Sequence, residues 1–331
     1  MLLKLDRLPN FSEGKPKVFT SYFLLSATAT ATATVAPTMG LLPMPRKPII
    51  STALEHSSVG GALSALQQQG CEMDLVDIGR DGRIDLEHLR ELLRRDTVLV
   101  SICAVDSELG TVQPIREIGK ILRDYPNCRL HVDATPAVGK TTLVLEVVDT
   151  MSIAPHKFYG LNGSGLLVKK KDPVIEPQIH GGSSTTIYRS GTPALGLAVS
   201  IEKALELALG NQAERIAYVR GLNRRMRTAL AQYPAVRINS PETAVPHILN
   251  LSVSGVKGTA FQQELGKHGV FVSVKSACSV EGTPSKAVYA VSHDRKNALS
   301  SWRISLSHLT TEAELEEFLQ IFDRCYHDLT P

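Results

Sequence analysis

The chain has 331 residues, 43% hydrophobic and 21% charged, enough apolar side chains for one large core and a smaller second one. Thirty-six basic against 33 acidic residues leave a net charge of only +3, so no electrostatic footprint for a nucleic-acid backbone exists and no nucleic-acid partner is expected. No uninterrupted run of about 18 apolar residues occurs, so neither a spanning helix nor a membrane partner is expected.

In chain order, residues 1–45 fit no regular pattern. Ala27 to Thr34 alternates alanine with threonine, and Pro37, Pro43, Pro45 and Pro48 punctuate the next stretch, so disorder or loose packing is expected there. Asp6 and Glu13 argue against a transit peptide, which is normally poor in acids. From Lys47 onward short apolar runs alternate with amphipathic segments, the pattern of an α/β fold with a mostly parallel sheet flanked by helices. The runs predict strands near Pro48 to Ala53, Thr97 to Val105, Arg129 to Asp133, Asp149 to Ala154 and Gly165 to Lys169. Helices are predicted for Ser58 to Gln69, Asp85 to Arg95 and Pro114 to Tyr125, the last with proline in a favoured first-turn position.

A long helical pattern from Ala194 to Leu209, running on through Ala231, is expected to leave this domain for another. Beyond it the patterns predict a strand at Ile248 to Val253, a helix at Gly258 to His268, strands at Val270 to Val274 and Trp302 to Leu306, and a final helix from Thr311. The expected organisation is an atypical segment 1–45, a large α/β domain 46–210 and a smaller α+β domain 211–331.

Ligands bind beyond the carboxyl ends of strands in an open α/β sheet, and polar residues stand at the ends of the first four predicted strands here. His56 follows the first, Asp106, Ser107 and Glu108 the second; Asp133 ends the third, and His156 and Lys157 follow the fourth. The run Met151 to Ala154 is expected to bury Lys157, lowering its pKa and freeing a neutral amine that can hold an aldehyde cofactor as a Schiff base. A buried Asp133 must meet a cation, either a basic side chain or a protonated pyridine nitrogen. Cys278 lies in a loop rich in small residues, Val274 to Ser285, from which a thiolate could be delivered.

Five cysteines, odd in number and without a CxxC pair, fit a reducing compartment, taken as the cytoplasm. Cys103, inside a strand pattern, is expected to pack rather than react. His180, His247, His268, His293 and His308 show no ligand spacing, and no metal is expected. The glycines of Gly160 to Gly165 precede a strand and are expected to form a turn rather than a phosphate loop.

Several stretches together resemble one family. They are Leu54-Glu55-His56, Asp106 to Ile115, His131-Val132-Asp133-Ala134-Thr135, His156-Lys157-Phe158-Tyr159-Gly160, Arg189-Ser190-Gly191-Thr192, Ser276-Ala277-Cys278-Ser279 and Arg303-Ile304-Ser305-Leu306. In order and spacing they resemble the class V aminotransferase group of pyridoxal-phosphate enzymes, and most of all the cysteine desulfurases with the longer catalytic loop. The resemblance implies PLP fold type I, pyridoxal 5'-phosphate as cofactor, L-cysteine as substrate and a homodimer with shared sites.

It also implies roles. Lys157 would hold the cofactor and move protons, Asp133 would keep the ring nitrogen protonated, and His56 would stack on the ring. His156 and Ser107 would lie at the cofactor, Thr192 would reach the cofactor phosphate of the neighbouring subunit, and Arg303 would clamp the substrate carboxylate. Cys278 would attack the substrate sulfur, leave as a persulfide and pass sulfur to an acceptor protein, iron–sulfur cluster assembly being one such route.

The pattern is also interrupted. The family opens with a strand and a Gly-Ala-Thr-Glu type turn that cradles the phosphate; Lys17 to Ser21 resembles the lead-in, but Tyr22 to Met44 departs from it. Ser107, Pro136 and Ala154 replace an asparagine, a glutamine and a serine around the cofactor. Three lost contacts of about 1.5–3 kcal/mol each would weaken cofactor binding by roughly 5–9 kcal/mol. Two rival readings arise from these departures: another class V aminotransferase or lyase that does not use Cys278, and a cofactor-depleted, non-catalytic homologue.

Overall fold

The computed structural model describes residues 19–26, 47–173, 175, 177, 179–182, 188–275 and 282–330, the first segment as backbone only. Two units are distinguished by their internal contacts: Met1–Asp77 with Ile84–Val105 and Gln113–Asn211, and Ile78–Arg83 with Asp106–Val112 and Gln212–Pro331. The segments 78–83 and 106–112, which the sequence pattern assigns to the large α/β domain, cluster with the second unit.

The first unit runs β1 (Phe19–Ser26), β2 (Pro48–Ser51), α1 (Ser57–Gln68), β3 (Glu72–Leu75), α2 (Leu86–Leu92), β4 (Leu99–Cys103), α3 (Ile115–Ile121), β5 (Arg129–Asp133), β6 (Thr150–Ile153), β7 (Ser164–Lys170) and α4 (Leu195–Gly210). Its sheet has the order β1-β7-β6-β5-β4-β2-β3. Strands β2 to β6 are parallel, and β7 is antiparallel to both β6 and β1, so the expected mostly parallel sheet is present.

The reason lies in composition. Central parallel strands are buried on both faces and need continuous apolar runs. Leu99, Val100, Ile102, Leu130 and Val132 supply most of that burial, at about 1.5–3 kcal/mol for each side chain removed from water, with the polar Ser101 and His131 buried among them. Helices cover the sheet at close range: a methyl group on Gly119 of α3 would collide with Val147, so only glycine fits there.

One expectation fails at the start. Phe19–Ser26 lies within the segment read as disordered, yet its backbone pairs with β7 from Phe19↔Lys170 to Ser26↔Ser164. The run Phe-Thr-Ser-Tyr-Phe-Leu-Leu has the aromatic and branched composition of a strand, which outweighs the low-complexity sequence beside it.

The long helical pattern is broken as well: α4 ends at Gly210, and α5 (Gln212–Leu230) begins after Asn211, where two poor helix formers adjoin. The second unit continues with β8 (Val236–Ile238), β9 (Ile248–Val253), α6 (Gly258–Lys267), α7 (Lys286–Ser292), α8 (Arg295–Ser300), β10 (Ser301–Ser305) and α9 (Glu312–Leu329). Its three strands form an antiparallel sheet in the order β10-β9-β8.

Helix α9 starts with a reciprocal capping box between Thr311 and Glu314. It buries Leu315, Phe318, Phe322, Cys325 and Tyr326 along one face, against a core that includes Phe261 and Trp302. The predicted strand Val270 to Val274 is not formed: within it only Ser273 bridges to Arg303, Phe271 is exposed, and the Val272 carbonyl accepts from the Gln262 side chain instead of from a neighbouring strand. Among the described residues no helix is long and apolar enough to cross a membrane.

Candidate functional site

In the first unit the strand ends carry an acidic floor. Asp133 ends β5, is 6% exposed, and its Oδ1 accepts from Thr135 N at 2.9 Å. Glu55, between β2 and α1, turns its carboxyl inward; Oε1 accepts from Cys103 N at 2.6 Å and from the Thr52 hydroxyl at 3.2 Å, while Oε2 is buried without a partner. Burial first, and the neighbouring Asp133 second, push the Glu55 carboxyl up to about 8. Cys103 is buried within β4 and does more than pack, since its side chain also hydrogen-bonds the Glu55 carboxyl.

His131, two residues before Asp133 on β5, is wholly buried; its Nδ1 lies 2.9 Å from Thr150 Oγ1. Burial pushes its imidazole down to about 3, so the unfolded chain binds a proton here that the folded chain refuses. Stability from this group is full above about pH 6.5 and is lost as pH falls. Glu55 acts oppositely: its raised pKa gives stability that is full below about pH 4.5 and lost as pH rises through about 8. His131→Asn should therefore gain about 2 kcal/mol relative to the unsubstituted protein between about pH 6.5 and about pH 5, read from urea unfolding at both pH values. A stability difference that does not change with pH would exclude this linkage.

Strand β6 leads into a single 3₁₀ turn, Pro155–Phe158, which carries His156 and Lys157. Tyr159, at φ 69°, closes the turn in the left-handed region. Lys157 is exposed, contrary to the expected burial, because the apolar run ends at Ile153 and the turn lifts the next residues off the sheet. Partial burial lowers the His156 pKa, with Lys157 and then His56 adding charge repulsion, which sets these three side chains in one neighbourhood. His56 caps α1, its Nδ1 accepting from Ser58 N at 3.2 Å. Thr192 is exposed just ahead of α4. Gly160 and Gly163 lie in the turn leading into β7, as expected, and Gly165 already belongs to the strand.

In the second unit Arg303, on β10, donates through Nη1 to the Ser107 carbonyl at 2.7 Å, and its Nε is buried without a hydrogen-bond partner. Burial lowers its pKa, and the nearby Glu108 and Asp106 carboxyls act against that shift. Asp106 caps its own turn by accepting from the amides of Glu108 and Leu109. Burial, then Glu108, push its carboxyl up to about 7. Ser285 donates to Glu108 Oε2 at 2.5 Å and caps α7 by accepting from Val288 N.

Of the residues singled out by sequence, His56, Asp133, His156, Lys157 and Thr192 lie in the first unit and Ser107 and Arg303 in the second. Cys278 lies outside the described residues. Sequence reasoning assigned Glu55 no role, although an acid directly before His56 at a strand end was a usable signal.

Residues 18–318 match the family described as aminotransferase class-V. A "NifS/IcsS protein homolog" of Lactobacillus delbrueckii subsp. bulgaricus is 34% identical over 286 residues, covering 85% of this chain and 74% of that protein. A protein named "Cysteine desulfurase IscS" from Dictyoglomus turgidum is 33% identical over 290 residues, 86% of this chain and 73% of its own length. Among solved structures a "NifS-like protein" aligns with a TM-score of 0.86 at 28% identity, covering 93% of this chain and 83% of that one.

Proposed function

The chain belongs to the class V aminotransferase family, and from that premise we infer that it is a pyridoxal-phosphate-dependent cysteine desulfurase, converting L-cysteine to L-alanine and an enzyme persulfide. Its mostly parallel sheet is that of PLP fold type I, and members of this family use pyridoxal 5'-phosphate. The observation that carries the reading is the acidic floor at the end of β5. Asp133 and the unpartnered Glu55 oxygen suit a ring that carries a proton on its nitrogen, one strand away from the turn that bears Lys157.

When bound, the cofactor would supply an electron sink for the substrate carbons. Lys157 would hold its aldehyde carbon and move protons at the substrate. Asp133 would keep the ring nitrogen protonated, His56 would lie against the ring, and Ser107 and His156 would contact its polar edge. Arg303 would bind the substrate carboxylate. Cys278 as thiolate would attack the substrate sulfur; the carbon–sulfur bond breaks, its electron pair stays with the carbon, and protonation there releases alanine while Cys278 keeps the sulfur.

A homodimer fits the surface of the first unit. Tyr159, Leu161, Leu195 and Val199 are large, exposed apolar side chains, and Leu161 N donates to Ser200 Oγ at 3.3 Å, which draws the two segments into one patch beside Thr192. Thr192 would there reach the partner's cofactor phosphate, and the persulfide sulfur would pass to an acceptor protein. We place this chemistry in the cytoplasm, where the thiols of Cys71, Cys103, Cys128 and Cys325 stay reduced.

The test is mass spectrometry of the protein after exposure to L-cysteine. The peptide containing Cys278 should gain the mass of one sulfur atom as alanine appears, and Cys278→Ser should lose both. Full alanine release by Cys278→Ser would point instead to a lyase that leaves Cys278 idle.

A further inference from the structure

Glu55 belongs to the acidic floor, but no task at the cofactor is assigned to it above, and its environment is unusual for an acid. Its Oε1 is tied to Cys103 N at 2.6 Å, and Cys103 is the residue paired with Asp133 across β4 and β5. Oε2 is buried and unpartnered. The Glu55 head group is thus fixed on the backbone beside Asp133, with one oxygen left over. Two buried carboxyls so placed repel unless one is protonated or a cation joins them.

We propose that Glu55 is a positioning residue for the cofactor: it sets a second carboxyl beside Asp133, so that the protonated ring nitrogen is held by an acidic pair instead of one aspartate. This rests on the pyridoxal-phosphate reading. In the empty protein burial keeps Glu55 protonated up to about pH 8. A cation favours the carboxylate, so the Glu55 O–H bond breaks and its proton leaves for solvent as the ring is seated; nothing is oxidised or reduced.

Affinity must then depend on pH through Glu55. The ionised form binds the ring cation more tightly than the protonated form, and its share of the empty protein grows as pH rises toward and past about 8. Glu55→Gln imitates the protonated form at every pH. Equilibrium dialysis of empty protein against pyridoxal 5'-phosphate measures Kd for both proteins across about pH 6.5 to about pH 9. Titration of the cofactor and of Lys157 is common to both and cancels in the ratio of the two Kd values.

That ratio, variant over unsubstituted, should rise at least about tenfold over this range. Loss of a merely structural hydrogen bond to Cys103 would move it by one constant factor. Glu55→Ala, a second neutral variant, must show the same rise, which guards against a local fault in the glutamine variant. A flat ratio, with the unsubstituted protein binding the cofactor, overturns the role of Glu55 alone. No binding by the unsubstituted protein at any pH overturns the cofactor reading and this inference with it.

Discussion

Lys157→Ala is expected to release the cofactor's protein-linked absorbance band and to lower alanine formation from cysteine by at least ~10³-fold. Positioned proton transfer alone contributes about 10²–10⁴-fold, and the amine is also the covalent anchor. The fold should survive, because Lys157 is exposed on a turn whose shape is set by others: Pro155 starts it, and Tyr159 closes it in the left-handed region. An unchanged thermal transition with loss of colour and turnover is therefore the expected result. Lys157→Arg, which keeps the positive charge but cannot form the linkage, should behave like alanine. Retention of the band in either variant would mean that another amine holds the cofactor.

The second large effect concerns stability. Phe322 on α9 is fully buried, with ring centroids of Tyr233 at 5.1 Å, Phe261 at 5.3 Å, Phe318 at 6.0 Å and Trp302 at 6.2 Å. Phe322→Ala should cost about 3–5 kcal/mol, combining lost transfer energy with the cavity left among rings that cannot close over it. Trp302 is the single tryptophan of the chain and stands in that cluster, so its fluorescence during urea unfolding reports on the second unit. A loss below about 1 kcal/mol would show that the aromatic cluster collapses freely into the space. Phe271, 89% exposed, supplies the contrast: Phe271→Ala should shift the transition by less than about 0.5 kcal/mol.

The parts of the fold legible in the sequence are those whose local signal and tertiary role coincide. Strands β4 and β6 are buried throughout and β5 is buried from Leu130 to Asp133, and each carries enough buried apolar side chains to show in the sequence; α9 has its capping pair and a clean apolar stripe. Strand β3, Glu-Met-Asp-Leu, alternates polar and apolar residues over only four positions, at an edge where Leu75 is exposed, so its signal is brief and no apolar run supports it. Helices α7 and α8 have seven and six residues, too short for a periodic signal, and their serine and aspartate caps mark them only after the fact.

Within the candidate site the strand-end positions of Asp133 and His56 followed from the α/β pattern. The exposure of Lys157 did not, because an apolar run says how a strand is buried and nothing of the turn after it. Nor did the inward turn of Glu55, whose binding partner, Cys103 N, is 48 residues away and becomes a neighbour only when β2 and β4 pair.

Strand β1 also bears on how the chain tolerates trimming. It occupies the outer side of β7, and seven Cα pairings, from Phe19↔Lys170 to Ser26↔Ser164, leave that side of β7 no open hydrogen-bonding row. A version begun near Lys47, chosen to discard the alanine–threonine tract, would bare the amides and carbonyls of an almost wholly buried strand. Such a row is a template for adhesion between copies, so the shortened protein would tend to precipitate while every residue assigned to catalysis was still in place.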